Sequence, residues 1–354
     1  MPDKKVQAAI TNWAPRFTSQ GVDYNDFVRT TAGLEHWEEW LDAWVANGDV
    51  HARLGQQAEE KDKLLTAGEA YVRAALSYHF AKFVWMVDMG KYRQAADKAV
   101  ASLLSAHRLL DPTAERIETT LEGNLMVGNF RRPQGEEKPP LVVLLPGLDS
   151  TKEEFFNWEN VFLQRGMATL SMEGPGQGET GYNTHIRHDY DVAVSAMLDA
   201  ISGREDIRQD RIGVVGVSMG GYYAPRAAAF EPRIKAVTAI GGPYNFGECW
   251  PQLPVITRES FMHHSGAGSE EEAEQIALKL NLSEVLPKVT QPFLVVFGKL
   301  DRLIPWQQAE QVAAEAPNAE LVMYEDGNHV CNNIPYKYRP LVGDWIKEKL
   351  SNVG

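Results

Sequence analysis

The feature that most constrains the fold of this chain is a valine-rich run that leads into a serine between two glycines. Residues 212–217 are apolar, Ser218 lies between Gly216 and Gly220, and an alanine-rich stretch follows. This order predicts a strand, a sharp turn and a helix, which is the setting of the G-x-S-x-G nucleophile elbow. Glycines suit such a turn because side chains beside the serine would crowd a strained backbone. The same short pattern also arises by chance in unrelated α/β proteins.

Beyond residue 112 the chain alternates between strand and helix patterns. Residues 141–145 have no polar interruption, which indicates a strand buried on both faces, as in a parallel sheet. Strand patterns cover 116–121, 125–131, 141–145, 167–172, 212–217, 236–240, 293–297 and 321–324. Helical patterns cover 153–164, 188–202, 219–230, 306–315 and 336–350. Consecutive strand and helix units predict an α/β fold with a doubly wound, mostly parallel sheet.

Two segments fall outside this alternation. Residues 243–291 separate two predicted strands by more chain than an ordinary connection needs. We expect this insertion to contribute to a cap over the carboxyl ends of the strands, where open α/β sheets bind ligands. Residues 1–112 are predicted to form a helical amino-terminal cap or lid domain, and residues 113–354 the domain that carries the sheet and Ser218.

The amino-terminal region is predicted to be an array of helices. Its pattern is helical over residues 23–110, with a break at residues 47–49. Trp37, Trp40 and Trp44 recur at helical spacing and make one strongly aromatic face. Such a stripe is either packed core or the lining of an aromatic substrate site, and spacing alone leaves both interpretations open.

Charge and composition narrow the class of partner. A formal net charge of −13 and a pI of about 5.2 argue against nucleic acid or an anionic membrane surface as partner. Cys249 and Cys331 lie far apart without metal-ligand spacing, so neither a disulfide framework nor a zinc site is predicted. The start of the chain lacks an apolar signal core, and no apolar run reaches the roughly 20 residues of a membrane helix. We therefore expect a cytoplasmic protein that acts on a small molecule without a metal or other cofactor.

A serine hydroxyl attacks a carbonyl only when a base removes its proton and an acid orients that base. Asp301 follows a predicted strand in a turn shaped by Gly298 and Pro305. His329 follows the last predicted strand and, of the nine histidines, is the only one after both Ser218 and Asp301. The chain order serine, aspartate, histidine predicts a catalytic triad of Ser218, Asp301 and His329. The alternatives are a solvated loop aspartate and a structural loop histidine.

Two backbone amides are candidates for an oxyanion hole. Met219 begins the helix after the elbow, where the first N–H groups have no partner within the helix. Leu148 follows the first buried strand, and Gly147 before it permits a close backbone approach. Residues 173–179 leave the next strand at the same edge of the sheet, and their glycines suit either a site-shaping loop or phosphate binding.

Taken together, these motifs resemble a known family. The elbow, the segments 147–154, 173–178, 298–301 and 327–329, and the helical region before them are similar to one group of α/β-hydrolases. The group includes 2,6-dihydroxypseudooxynicotine hydrolase, FrsA-type esterases and fungal polyketide-shortening hydrolases. The resemblance implies the α/β-hydrolase fold and a homodimer. It also implies hydrolysis of a carbon–carbon bond beside a ketone, or of an ester, in a cleft between two domains.

The resemblance also implies a role for Glu248. In the nicotine-pathway member a glutamate after the post-elbow helix and strand assists catalysis, and Glu248 occupies the matching place. Aromatic surroundings would favour its protonated form and make it a proton donor or a hydrogen-bond partner of the substrate. An ordinary cap glutamate in an ion pair is the alternative. Tyr244 and Trp250 beside it, together with Trp37, are candidate substrate-binding residues.

The leading hypothesis is a serine hydrolase that cleaves a carbon–carbon bond next to a ketone, of the β-diketone or aryl-ketone type. A carboxylesterase for a small aromatic or acyl ester is one alternative. An acyltransferase with the same triad is another, since sequence does not reveal whether water reaches the acyl-enzyme. A non-catalytic binding protein on the hydrolase fold is the last, although such proteins tend to lose triad residues and all three are retained here.

Overall fold

The computed structural model describes residues 2–352, which fall into two units. The helical unit comprises the chain up to residue 114 together with residues 153–157. The sheet unit comprises residues 115–152 and the chain from residue 158 onward. Each unit contains a cluster of buried apolar side chains of its own.

The helical unit is built from long helices. Within residues 2–352 its α-helices are α1 (Lys4–Gln20), α2 (Tyr24–Thr31), α3 (Trp40–Glu59), α4 (Leu64–Ala81) and α5 (Met89–Leu110). Helix α1 precedes the region that the sequence pattern predicts to be helical. It begins where the Asp3 side chain accepts a hydrogen bond from the Val6 N–H, and it ends at Gly21. The φ of Gly21 is +110°, which stops the helix in a conformation that glycine adopts readily.

Helix α3 runs without interruption through residues 47–49, so the predicted break there is wrong. The small and polar residues of this stretch are a contact surface for α4. A Cβ added at Gly48 would lie 2.5 Å from the Tyr78 ring, and the Tyr78 hydroxyl donates to Asp49 at 2.7 Å. A pattern typical of a loop thus serves close packing between two helices.

The segment 153–157 belongs to the helical unit because a buried carboxylate attaches it to α1. The Arg16 guanidinium binds both oxygens of Glu154, at 2.7 and 2.6 Å, and the Gln20 amide donates to the same carboxylate at 3.1 Å. Asn157 donates to the Gln20 carbonyl at 2.8 Å. Burial opposes ionisation of Glu154, but Arg16 outweighs it and holds the pKa of that carboxyl well below its usual value.

The aromatic stripe is the core of the helical unit. Trp37, Trp40 and Trp44 are at most 2% exposed, and the Trp40 ring N–H donates to the Phe80 carbonyl at 3.0 Å. Phe17 stacks on Phe80 with 3.8 Å between ring centroids and packs against Trp40 and Trp44. Of the two interpretations of the stripe, the structure supports packed core.

The sheet unit confirms the predicted doubly wound, mostly parallel sheet. Its strands within the described residues are β1 (Glu115–Leu121), β2 (Asn124–Arg131), β3 (Pro140–Leu145), β4 (Ala168–Met172), β5 (Arg208–Val217), β6 (Ile234–Ile240), β7 (Phe293–Gly298) and β8 (Ala319–Tyr324). Their order across the sheet is β1-β2-β4-β3-β5-β6-β7-β8. Strand β2 pairs antiparallel with both neighbours, and strands β3 to β8 are mutually parallel. Strands β3, β4 and β7 are buried nearly throughout, as a sheet covered on both faces requires.

Helices connect the parallel strands or follow the last of them. They are α6 (Phe156–Leu163), α7 (Asp191–Ala200), α8 (Gly220–Phe230), α9 (Val255–Ser265), α10 (Glu270–Leu278), α11 (Gln307–Glu315) and α12 (Pro335–Ser351). Helices α9 and α10 lie in the insertion 243–291, where an isolated bridge pairs Asn245 with Asn281. None of the helices within residues 2–352 is long and apolar enough to cross a membrane.

Candidate active site

Ser218 occupies the turn between β5 and α8 with its backbone in the left-handed region. Its φ of +55° is a conformation that costs a residue with a side chain roughly 1–2 kcal/mol. The Ser218 N–H donates to the Ile240 carbonyl at 2.8 Å, and the Gly221 N–H donates to the Ser218 carbonyl at 2.7 Å. These hydrogen bonds hold the strained turn in place at the carboxyl end of β5.

Glycines on both sides of the serine allow the backbone segments to meet. A Cβ added at Gly216 would overlap the Gly220 carbonyl, and one added at Gly220 would overlap the carbonyl of Leu145 at the end of β3. Gly147, in the loop after β3, lies against the serine itself. Its added Cβ would be 3.0 Å from Ser218 Cβ and 3.4 Å from Ser218 Oγ. The loop after β3 therefore lies next to the candidate nucleophile.

The structure brings Ser218, His329 and Asp301 into one hydrogen-bonded chain. His329 Nε2 lies 2.9 Å from Ser218 Oγ, and His329 Nδ1 lies 2.7 Å from Asp301 Oδ2. The Asp301 side chain is fully buried, and its other oxygen accepts the N–H groups of Leu303 and Ile304 at 2.8 and 3.0 Å. Because the carboxylate accepts from Nδ1–H, a neutral imidazole presents Nε2 as the acceptor for the serine hydroxyl. This is the geometry that transfer of the hydroxyl proton needs.

A strained loop carries the histidine. Val330 and Cys331, which follow His329, have φ values of +59° and +54°. Such values are rare for side chains of this size, above all for a β-branched residue. Asn328 and Asn333 hold the loop through reciprocal backbone-to-side-chain hydrogen bonds of 2.8 and 3.2 Å. The surrounding contacts thus keep the loop, and with it the imidazole, in one conformation.

The two amides predicted for the oxyanion hole are available to a ligand. Neither the Leu148 N–H nor the Met219 N–H donates a hydrogen bond to another group within residues 2–352. Met219 directly follows Ser218, and Leu148 directly follows Gly147, which lies against Ser218. Unpaired backbone N–H groups beside a nucleophile are suited to stabilising a developing oxyanion.

Backbone N–H groups of the loop 173–179 donate hydrogen bonds to side chains of the same loop. The Gly174 N–H donates to Gln177 Oε1 at 3.0 Å, and the Glu179 N–H donates to the Glu173 carboxylate at 2.9 Å. The Glu173 side chain is fully buried inside the turn. The glycines of this loop let the backbone wrap around a carboxylate and an amide that belong to the protein.

A buried ion cluster supports the same loop. The Lys152 ammonium lies 3.3 Å from the Glu173 carboxylate and 2.6 Å from that of Glu179. Burial opposes ionisation of Glu179, but hydrogen bonds from Arg116 and Lys152 outweigh it and lower the pKa of its carboxyl. Because carboxylates occupy the place that a phosphate would need, the structure supports a site-shaping loop over phosphate binding.

The sequence pattern did not single out Gln177, in the loop 173–179, or Tyr190, which contacts it. The Tyr190 hydroxyl donates to Gln177 Oε1 at 2.6 Å, and both side chains are buried. Neither belongs to a recognised catalytic pattern. The one available signal was a glutamine in a glycine-rich loop at the end of a predicted buried strand.

The three aromatic residues predicted to bind substrate are buried in the apolar packing around them. Tyr244 is 6% exposed, and its hydroxyl donates to the Glu315 carboxylate at 3.0 Å. Trp250 is 4% exposed and meets Phe261 edge to face, with ring centroids 5.6 Å apart. Trp37 belongs to the core of the helical unit. The substrate-binding role of these three residues stays a prediction.

Glu248 lies in a more aqueous setting than its sequence neighbours suggest. The flanking aromatic residues Phe246 and Trp250 are buried, whereas the Glu248 side chain is exposed and accepts a hydrogen bond from Asn245 at 3.3 Å. The expectation of a water-poor, aromatic environment is therefore wrong, because a short 3-10 helix turns the aromatic rings inward and the carboxyl outward.

The two cysteines are poor candidates for the nucleophile. Cys249 and Cys331 are buried free thiols, and burial raises the pKa of each to about 12. Both therefore remain protonated at neutral pH, although Cys331 lies only two residues beyond the histidine. Within residues 2–352, no group of three or more His, Cys, Asp or Glu side chains is placed to hold a metal ion.

Similarity to known families covers most of the chain. The model of the FrsA-like esterase family matches residues 14–248. This chain belongs to that family. The model of the prolyl oligopeptidase family matches residues 154–352, which include all three residues of the hydrogen-bonded chain.

Individual relatives agree with this assignment. The chain is 35% identical to 2,6-dihydropseudooxynicotine hydrolase of Paenarthrobacter nicotinovorans, over 98% of this chain and 94% of that protein. A crystal structure of 2,6-dihydroxy-pseudo-oxynicotine hydrolase matches with a TM-score of 0.88 and 34% identity, over 96% of both chains. Hydrolyase poxO of Penicillium oxalicum is 31% identical, but the match spans only 53% of its length. The family resemblance, the α/β-hydrolase fold and the assignment as a hydrolytic enzyme are confirmed.

Proposed function

We propose that this protein is a serine hydrolase that cleaves a carbon–carbon bond next to a ketone in a small aromatic substrate. The hydrogen-bonded chain from Ser218 through His329 to Asp301, with distances of 2.9 and 2.7 Å, carries the proposal. Similarity along 98% of the chain to a hydrolase named for a pseudooxynicotine substrate supports the choice of a ketone.

The reaction begins with attack of Ser218 Oγ on the ketone carbon. His329 Nε2 accepts the hydroxyl proton as the new C–O bond forms, and Asp301 stabilises the resulting imidazolium. The π electrons of the carbonyl move to its oxygen and give a tetrahedral alkoxide. The N–H groups of Leu148 and Met219 stabilise this alkoxide.

The second step breaks the carbon–carbon bond. The alkoxide re-forms the carbonyl, and the bonding electron pair leaves with the departing carbon, which the imidazolium protonates. A localised carbanion is a poor leaving group, so we expect a substrate whose phenolic ring or β-carbonyl group delocalises that pair. An acyl ester of Ser218 remains on the enzyme.

Water completes the cycle. His329 removes a proton from water as its oxygen adds to the acyl carbon, and the tetrahedral intermediate then expels the serine oxygen. The imidazolium returns the proton to that oxygen. Each turnover consumes one water molecule and yields a carboxylic acid and the protonated leaving fragment.

A substrate panel tests the proposal. Aryl β-diketones and aryl esters with matched acyl groups are compared by kcat/KM, with acid products analysed by mass spectrometry after reaction in ¹⁸O-labelled water. We expect preferred cleavage of the diketones with one labelled oxygen in the acid, labelling of Ser218 by an aryl phosphonate, and no turnover by Ser218→Ala. Full turnover by that variant would overturn the triad mechanism.

Ester hydrolysis is the second candidate function, and the FrsA-like esterase match favours it. The same nucleophile, base and amides serve an ester, whose alkoxide or phenoxide leaves more easily than carbon. Turnover of the aryl esters without any cleavage of the ketones in the panel would replace the carbon–carbon function with this one.

We further propose a cytoplasmic homodimer. The two buried free thiols support a reducing compartment, and the family resemblance supports the dimer. Light scattering coupled to size-exclusion chromatography tests the assembly, since a mass of one 39.5 kDa chain would contradict it.

A further inference from the structure

Gln177 lies beside the triad without belonging to it, and its amide group is saturated with hydrogen bonds. Its Nε2 donates to the carbonyls of Pro146 and Gly147 at 2.8 and 3.0 Å. Its Oε1 accepts from the Gly174 N–H at 3.0 Å and the Tyr190 hydroxyl at 2.6 Å. Carbonyls only accept and backbone N–H groups only donate, so these partners determine which way the amide points. The side chain is 1% exposed.

The Nε2 side of this amide controls the first candidate oxyanion donor. The Gly147 carbonyl and the Leu148 N–H belong to the same planar peptide group, so holding the carbonyl sets the direction of the N–H. A hydrogen bond to the carbonyl also polarises the peptide and makes its N–H a stronger donor. Gly147 lies against Ser218, where the oxyanion would form.

The Oε1 side leads to the second candidate donor. The Tyr190 ring stacks on Tyr223 with 3.8 Å between centroids and an interplanar angle of 11°. The Tyr223 hydroxyl lies 3.0 Å from the Met219 sulfur, and the Tyr223 N–H donates to the Met219 carbonyl at 3.2 Å. All three side chains are at most 1% exposed, so little room is left for movement.

We propose that Gln177 is a positioning residue for the oxyanion hole. It orients the Leu148 N–H directly and holds Met219 through Tyr190 and Tyr223. It stabilises the alkoxide more than the planar ketone or ester, because the two amides are aimed before the reaction begins. The inference rests on the proposed function, since it requires an oxyanion formed by attack of Ser218.

Two substitutions separate the two sides of the amide. Gln177→Glu keeps an acceptor for Gly174 and Tyr190 but cannot donate to both carbonyls, because a carboxylate has no N–H or O–H and a carboxylic acid has only one. Tyr190→Phe removes one hydrogen bond to Gln177 Oε1 and keeps the ring that stacks on Tyr223. Tyr222→Phe is the matched control, because the Tyr222 hydroxyl is bonded to the backbone carbonyl of His188 at 2.9 Å and does not contact Gln177.

The measurements compare turnover with the binding of two inhibitors. An aryl trifluoromethyl ketone adds the Ser218 oxygen and presents an alkoxide, whereas the matching methyl ketone stays planar. For Gln177→Glu we expect kcat on the better substrate of the panel to fall about 10- to 100-fold with KM unchanged. The inhibition constant of the trifluoromethyl ketone should rise by a similar factor, and that of the methyl ketone should not change. Tyr190→Phe should show a smaller effect of the same kind, and Tyr222→Phe none.

Several outcomes would overturn the inference. One is that a folded Gln177→Glu variant binds the trifluoromethyl ketone as tightly as the wild type. Another is that it loses affinity equally for both ketones, which would indicate a structural or substrate-binding role. If Gln177→Glu fails to fold, equal behaviour of Tyr190→Phe and Tyr222→Phe would also exclude it. Full turnover by Ser218→Ala removes the proposed function along with the inference. An inactive Ser218→Ala with unaltered Gln177 variants removes the inference alone.

Discussion

Ser218, the proposed nucleophile, has an unfavourable backbone conformation. At φ +55° an alanine retains the strain and a glycine does not, so we expect Ser218→Gly to be more stable than Ser218→Ala by about 1 kcal/mol. Both variants lack the hydroxyl and should be inactive. Urea unfolding followed by tryptophan fluorescence measures the difference.

The control for this comparison is Ser105, which lies inside helix α5. There Ser105→Gly should be less stable than Ser105→Ala by roughly 1 kcal/mol, because glycine disfavours a helix interior. The same sign at both positions would show that Ser218 is not strained.

The Glu248 side chain is exposed to solvent, and its catalytic role is a prediction. If it assists departure of the carbon leaving group, we expect Glu248→Gln to lower kcat/KM for the ketone by about 100-fold. Cleavage of an aryl ester should change little, because its phenoxide leaving group departs without forming a carbanion. The measurement is the ratio of the two rates in each variant.

Glu284→Gln is the matched control for Glu248→Gln. Glu284 is an exposed glutamate of the same insertion and has no part in the proposed mechanism. Equal rate ratios in the two variants would leave Glu248 without a catalytic role.

Among the elements, the α3–α4 pair shows how tertiary packing overrides a local signal. Alanine at Gly48 gains about 1 kcal/mol of helix propensity. Its Cβ, however, would lie 2.5 Å from the Tyr78 ring, and overpacking costs roughly 1–3 kcal/mol. We expect Gly48→Ala to lower the free energy of unfolding by about 1 kcal/mol. Calorimetry should show a lower Tm than for Gly203→Ala, where an added Cβ meets no atom within 4 Å.

The Arg16–Glu154 pair is the polar attachment of the segment 153–157 to α1. Because the folded pKa of Glu154 lies below its ordinary value of 4.5, its contribution to stability is complete above pH 4.5. That contribution is lost as the pH falls through the folded pKa. Arg16→Met leaves a buried carboxylate without its main partner and should cost about 3 kcal/mol at pH 7.

The matched control is Arg93→Met. Arg93 pairs with Asp97 at 3.4 Å on the surface, where both side chains are more than half exposed, and its loss should cost less than about 1 kcal/mol. Urea unfolding compares the two variants at pH 7, where the contribution of Glu154 is complete, and at about pH 3, below the ordinary carboxyl pKa, where the two costs should move closer together. Equal costs at pH 7 would mean that Glu154 is not stabilised by Arg16.

At the scale of the whole molecule, the parallel sheet assembles the site. Leu148 follows β3, Ser218 follows β5, Asp301 follows β7 and His329 follows β8. The carboxyl ends of parallel strands share one edge, so residues far apart in the chain become neighbours there. The topology explains why a triad read only from chain order meets at hydrogen-bonding distance.

The net charge also belongs to the whole molecule. With a formal charge of −13, we expect the protein to bind an anion exchanger at pH 7.5 and to pass through heparin at physiological salt. Retention on heparin would reveal a basic patch and contradict the exclusion of nucleic acid as a partner.

The sequence by itself determined the strand series, the mostly parallel sheet and the residues of the hydrogen-bonded chain. These features follow from apolar runs, glycines beside Ser218 and the order of Ser218, Asp301 and His329, which are properties of the chain read from end to end.

Tertiary structure alone decided several other features. It joined residues 47–49 to helix α3, buried Tyr244 and Trp250 while leaving Glu248 exposed, and placed Gln177 between two peptide carbonyls and a tyrosine. Each depends on which distant residue supplies the facing surface. Local propensity contains no information about that partner, because burial and hydrogen-bond satisfaction are defined only once the elements have packed.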